Sequence, residues 1–160
     1  MEEGGGEKKV VMVGIDESEC SRYALEWALQ NLAHILSDSK LIIFSAQPVD
    51  DFGYAYASSF GAAPPVLIQS LQENRKKLTL ALLQKAKEIC AQHGIDAETL
   101  TESGSPKEAI CEAVEKLKVQ LLVLGSHGRG PLQRAFLGSV SNYCAHHAKC
   151  PVLVVKKKAS

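Results

Sequence analysis

An open α/β fold, with five strands in a mostly parallel sheet, is predicted by three observations. Short β-branched apolar runs alternate with amphipathic stretches along the whole chain, and the 160 residues suit one domain. Each run is followed by a segment long enough to supply the crossover that parallel neighbours need. Helices are then required on both faces, because such strands are apolar on both sides.

The first run, VVMVGID (10–16), reads as a buried strand entering a loop at Gly14 and Asp16. A helix is predicted from Ser18, where Leu25, Ala28, Leu29, Leu32 and Leu36 recur at helical spacing. Either Asp16 with Glu19 or Ser18 suits its cap. KLIIFSA (40–46) is the second strand, and the stretch that follows mixes small, aromatic and proline residues without a period, so 47–66 is expected to be a long surface loop. Such a loop is either functional or disordered.

Leu67, Leu71, Leu78, Leu82, Ala86 and Ile89 mark a long amphipathic helix over 67–90, ended by His93 and Gly94. IDAETLTESG (95–104) alternates only in part and is more polar, as an edge strand is. SPKE (105–108) places Ser105 at an N-cap, Pro106 at the first helical position and Glu108 at the third, predicting a capping box and a helix through Lys116. QLLVLGS (120–126) is a strand, 140–147 a helix, and PVLVV (151–155) the last strand.

Composition narrows the function classes. Lys and Arg total 18, as do Asp and Glu, so no overall field draws the chain to nucleic acid or an anionic membrane, and neither is expected as a partner. No apolar run approaches the ~20 residues of a membrane span. The five cysteines are odd in number and hold no Cys-x-x-Cys pair, which fits a reducing compartment, cytoplasmic with the nucleus as an alternative. Most are expected to be small buried side chains rather than disulfide partners. Residues 1–8 lack an apolar core and are expected to be a flexible leader, 9–156 one domain and 157–160 a tail.

Ligands of open parallel sheets bind beyond the carboxyl ends of the strands, where strand order reverses. Asp16, Ser45, Ala46, Gly125, Ser126 and His127 all end strands, and share one crevice if strands one and four are neighbours there. In GSHGRGPLQRAFLGS (125–139), Gly125 and Gly128 would let a ligand approach the main chain. Gly138 and Ser139 would open a helix whose free N–H groups favour a phosphate, with Ser139 and Ser141 as hydroxyl donors. Isolated glycines that merely turn the chain are the alternative.

The spacing fits neither the G-x-x-x-x-G-K-[ST] phosphate loop nor the dinucleotide G-x-G-x-x-G, whose order it reverses. Gly125-Ser126-His127-Gly128, nine residues, then Gly138-Ser139 resembles the universal stress protein family, whose nucleotide-binding members carry G-x-x-G, nine residues, then G-S or G-T. The resemblance runs from Lys9 to Lys156 and includes Val13-Gly14-Ile15-Asp16 and the tail from Cys150 to Val155. GSVSNYCAHHAKCPVLVVK (138–156) and the insertion after strand two are similar to plant members.

What the resemblance implies is a Rossmann-like, adenine nucleotide α-hydrolase-like sheet of order 3-2-1-4-5 that holds ATP or AMP and acts as a nucleotide-responsive module in stress response. By position, Asp16 corresponds to the acidic residue near the ribose or a nucleotide-bound magnesium ion, and Ala46 to the residue whose backbone meets adenine. Gly125 and Gly128 then approach ribose and phosphate, while Gly138, Ser139 and Val140 hold the phosphates. Ala46 is smaller than the valine often found there, so packing on the base is reduced. A homodimer through PVLVV is implied as well, and an exposed apolar edge strand gives it a physical basis.

Other residues have plainer roles as alternatives. His127 can donate to a phosphate or face solvent. Arg129 and Arg134 can meet phosphates, although loop arginines are more often solvated. CAHHAKC (144–150) invites a zinc reading, but on a helix Cys144 and His147 would share one face while His146 points away, so packing is favoured. No G-x-S-x-G elbow exists and no general base for attack on a phosphate can be assigned, so slow or absent hydrolysis is expected. A weak metal-dependent ATPase, and a chaperone-like protein using Phe52, Tyr54, Tyr56 and Phe60, are the rival readings.

Overall fold

A computed structural model describes residues 8–47, 52–62, 64–127 and 138–157. The chain runs β1 (Lys9–Gly14), α1 (Glu19–Asn31), α2 (Ala33–Ser37), β2 (Ser39–Gln47), α3 (Phe52–Phe60), α4 (Pro65–Gln92), β3 (Ala97–Ser103), α5 (Pro106–Lys116), β4 (Leu121–Gly125), α6 (Ser139–His147) and β5 (Val152–Val155). The sheet has the order β3-β2-β1-β4-β5, with every neighbouring pair parallel. The expected open α/β architecture and strand order are therefore present, and the polar β3 lies at an edge.

Strand alternation divides the core in two. Val11, Val13, Leu41, Ile43 and Val123 face α1, α2 and α4, meeting Leu25, Leu29, Leu36, Leu83 and Cys90. Met12, Ile42, Phe44, Leu122 and Leu124 face α5 and α6, meeting Ile110, Ala113, Val114 and Cys144. Burying both faces of the three central strands is what makes them uniformly apolar in sequence.

Three expectations are corrected. The stretch 47–66 is not a loop throughout: α3 forms within it and α4 begins at Pro65, whose fixed φ suits the first helical turn. Ala55, Ala57 and Ser58 between the aromatics make a helix available without a core-facing stripe, which is why periodicity did not reveal it. The first helix breaks at Leu32 (φ −116°, ψ 21°). There the Asn31 amide donates to the Trp27 carbonyl at 2.9 Å, competing with the helical ladder, and α2 restarts so that Leu36 reaches the core. At α5, Ser105 does occupy the N-cap and Pro106 the first turn, but the Ser105 side chain makes no cap hydrogen bond. Extended dihedrals and the fixed proline φ set that boundary without it. At the other end of α4, Gly94 at φ +75° turns the chain away as expected.

Candidate functional site at the β1–β4 crevice

The chain leaves β1 toward β2 on one side and β4 toward β5 on the other, so strand order reverses between β1 and β4. Val13 is level with Val123, Gly14 with Phe44, and Gly125 with Val155. Continued two or three residues, those registers bring Asp16, Ala46 and Ser126 to one level along the carboxyl edge. Three of the sequence-predicted positions are thus assembled by sheet register alone.

Beyond β1 the turn is a hydroxyl knot. Asp16 Oδ1 accepts the Ser18 N–H at 2.8 Å, and the Ser18 hydroxyl accepts the Ser21 N–H at 3.2 Å, so Ser18 is the N-cap of α1. The Ser21 hydroxyl donates to the Asp16 carbonyl at 2.9 Å and accepts the Asp16 N–H at 3.1 Å. Asp16 stays half-buried, with one carboxylate oxygen engaged in holding the turn. Sequence reading did not single out Ser21, although a serine five residues after a strand-ending aspartate was the available signal.

Beyond β4 the joint centres on Ser126, which is 2% exposed. Its N–H donates to the Val155 carbonyl at 3.0 Å, and its carbonyl accepts the Gly138 N–H at 2.6 Å and the Ser141 hydroxyl at 2.8 Å. One peptide thereby ties β4 to β5 and to the start of α6. Gly138 is the N-cap of α6 and carries no side chain to occupy the helix's free N–H groups. Ser139 is exposed at the first helical position, and Val140 packs partly on the α5 side of the core. The Ser126 hydroxyl lies 2.9 Å from His127 Nδ1, while His127 Nε2 is buried with no hydrogen-bond partner among the described residues.

Two expectations change here. Ser141 is not a hydroxyl donor to a ligand: its side chain is buried, 2% exposed, and its proton goes to the Ser126 carbonyl, with the Gly138 carbonyl at 3.2 Å. A hydroxyl at the third helical position points back along the helix, toward the chain that precedes it. Gly125 has a reason other than ligand approach, because a Cβ there would stand 2.7 Å from the backbone of Cys20 in α1. The close passage of α1 over β4 requires the glycine. Gly128, Arg129 and Arg134 lie outside the described residues.

Ala46 sits on β2 level with Glu102 of β3 and packs partly against the α5-side core. The adjacent Ser45 is buried and its carbonyl accepts the Thr101 hydroxyl at 2.7 Å. As for metals, no group of three His, Cys, Asp or Glu residues could hold an ion among the described residues. A magnesium ion at Asp16 would therefore need most of its ligands from nucleotide phosphates and water. In CAHHAKC, Cys144 is fully buried in the core, whereas His146 and His147 are exposed and His147 stacks on Tyr143 with centroids 4.2 Å apart. Burial pushes the Cys144 thiol up to about 12 and that of Cys90 to about 11. Among the described residues, no helix is long and apolar enough to cross a membrane.

Comparison with known proteins agrees with this fold and identifies a family. The model of the universal stress protein family matches residues 8–156. A universal stress protein A-like protein of Arabidopsis thaliana is 33% identical over 97% of this chain and 94% of its own length. An Arabidopsis thaliana universal stress protein family structure with AMP bound superposes with a TM-score of 0.67, at 25% identity over 94% of this chain and 93% of that one. A universal stress protein solved in complex with cAMP superposes with a TM-score of 0.63, at 27% identity over 96% of this chain and all of that one.

Proposed function

The chain belongs to the universal stress protein family, and from that premise we propose that it binds ATP or AMP in the β1–β4 crevice and acts as a nucleotide-responsive regulatory module in stress response. The observation that carries this reading is the uncapped start of α6, held against the end of β4 by the Ser126 carbonyl. Free N–H groups at a helix start, at the point where strand order reverses, favour a phosphate. His127 Nε2, buried with no hydrogen-bond partner among the described residues, supports the reading, since such a group lacks a hydrogen bond that a ligand can supply.

Within it, Gly138, Ser139 and Val140 hold phosphates, Gly125, Ser126 and His127 line the ribose and phosphate side, and Ala46 meets adenine. Ser141 acts indirectly, by fixing α6 to β4. Asp16 reaches the ribose or a magnesium ion that arrives with the nucleotide. No described side chain is placed to abstract a proton from an attacking water, so hydrolysis is slow at most. Calorimetry with ATP and with AMP tests the reading, and absence of heat with either nucleotide sinks it. Nucleotide released from the freshly purified protein, identified by mass spectrometry, decides between the two ligands.

The same reading includes a cytoplasmic homodimer through β5. Its support is that β5 ends the sheet and that Val152, Leu153 and Val154 remain partly exposed there. Val154→Lys is expected to shift the sedimentation profile to monomer. A chaperone-like contact role is the second reading, favoured by Phe60 and Val66, each 78% exposed where α3 hands over to α4. Replacing both with Ser should abolish protection of a client protein against aggregation and leave nucleotide binding intact; unchanged protection counts against that role.

A further inference from the structure

Cysteine chemistry on the far side of the sheet from α1 is unused by any of this. Cys111 of α5 and Cys144 of α6 have their sulfurs 3.9 Å apart. Cys144 is fully buried on the inner side of its helix, and its sulfur also lies 4.0 Å from the Lys107 carbonyl, so it is fixed in place. Cys111 is only half-buried, so one sulfur of the pair is within reach of a small molecule in solution. Cys150, ahead of β5, is near enough to feel the charge of Cys111 and to make its own felt at Cys144.

We propose that Cys111 and Cys144 are a reversible oxidation site, closed to an intramolecular disulfide by hydroperoxides and reopened by small thiols. A disulfide needs the sulfurs at about 2.05 Å, so the pair must close by roughly 2 Å, a distance within reach of side-chain rotation at Cys111. Both cysteines sit in regular helices that already pack on each other.

The chemistry balances in two steps. The Cys111 thiolate attacks one oxygen of the peroxide, the O–O bond breaks, and the departing alkoxide or hydroxide takes up the thiol's proton, leaving a sulfenic acid on Cys111. Cys144 sulfur then attacks the Cys111 sulfur, and hydroxide leaves with the Cys144 proton as water. Two thiols are oxidised and one peroxide is reduced. Reopening consumes two equivalents of a thiol such as glutathione, which becomes the disulfide.

Burial raises both thiols above their ordinary range, so little thiolate is present at neutral pH and closure is slow. Such a site responds to sustained oxidant and ignores brief pulses. Its structural effect is a covalent staple between α5 and the helix whose first turn begins at Gly138.

The test is free-thiol counting and non-reducing peptide mapping of the full chain after hydrogen peroxide, then after dithiothreitol. The expected result is an intrachain peptide linking Cys111 to Cys144, with free thiols falling from five to three and returning to five on reduction. Cys111→Ser and Cys144→Ser each abolish the linked peptide, and Cys150→Ser leaves it. Retention of all five thiols, or a linkage that uses Cys150 or joins two chains, overturns the proposal. The wild-type map stands by itself if a serine variant fails to fold.

Discussion

The joints after β1 and after β4 use one device and finish it differently. In each, a buried serine on the following helix returns its hydroxyl proton to a carbonyl one or two residues past the strand: Ser21 to Asp16 at 2.9 Å, Ser141 to Ser126 at 2.8 Å. After β1 the helix is then closed by its own side chain, Ser18, which takes one of the free N–H groups. After β4 the N-cap is Gly138, and no side chain among the described residues takes them. Both joints are anchored by a buried hydroxyl, and the second leaves more of its helix-start donors open to an anion among the described residues. Anchoring and binding are separate properties of a helix start, set by different residues.

The contrast can be broken at its base by Gly125→Val. The new side chain meets the Cys20 backbone of α1 at 2.7 Å, and neither backbone can yield without moving a helix off the sheet. A loss of about 3 kcal/mol, or a fall on the order of 10 °C in Tm, is expected by urea and thermal unfolding. A loss under about 1 kcal/mol would mean that α1 does not pass so close to β4.

Gly138→Asp gives α6 the cap that α1 already has. Gly138 has φ −65° and ψ 165°, which any residue adopts, so the fold is expected to gain a few tenths of a kcal/mol. Nucleotide affinity is expected to fall by about a hundredfold, since the carboxylate both takes an N–H and repels phosphate. Unfolding and calorimetry on the same sample separate the two effects, and unchanged affinity would remove α6 from the proposed site.

Ser141→Ala and Ser21→Ala probe the shared device. Each removes a buried hydroxyl bond and is expected to cost about 1–2 kcal/mol in urea unfolding. Nucleotide affinity should drop several-fold more in Ser141→Ala, because α6 then loses one of its two ties to Ser126. Equal affinities in the two variants would show that the tie is structural only.

The smallest effect belongs to Arg22→Ala, beside the β1 joint but outside the device. Its 3.2 Å pair with Glu26 is solvent-exposed at both ends, so stability should change by less than about 0.5 kcal/mol. A larger change in urea unfolding would mean that α1 is held by its surface as well as by its cap.

The strands were the most legible part. β1, β2 and β4 are apolar on both faces because both are covered, and that leaves an unbroken run in the sequence. α3 was missed because FGYAYASSF has no stripe to detect, and the break at Leu32 because Leu25, Leu29, Leu32 and Leu36 keep their spacing across it. In the candidate site, Gly138 and Ser139 were readable as a helix start from glycine spacing and resemblance. The roles of Ser21 and Ser141 were not, since a hydroxyl's partner depends on which way the helix carries it.

By itself the sequence determined the five strands and, apart from α3 and the break before α2, the helices between them, and where glycines and the aspartate after β1 stand, because these depend on the local periodicity of apolar burial and on backbone freedom. Only the tertiary structure decided which glycine serves which purpose. Gly125 is required because α1's backbone fills the space a side chain would take, Gly138 leaves a helix start uncapped, and Ser141 spends its proton inside the fold. Those assignments depend on contacts between residues far apart in the chain, such as Cys20 with Gly125, and no local pattern encodes them.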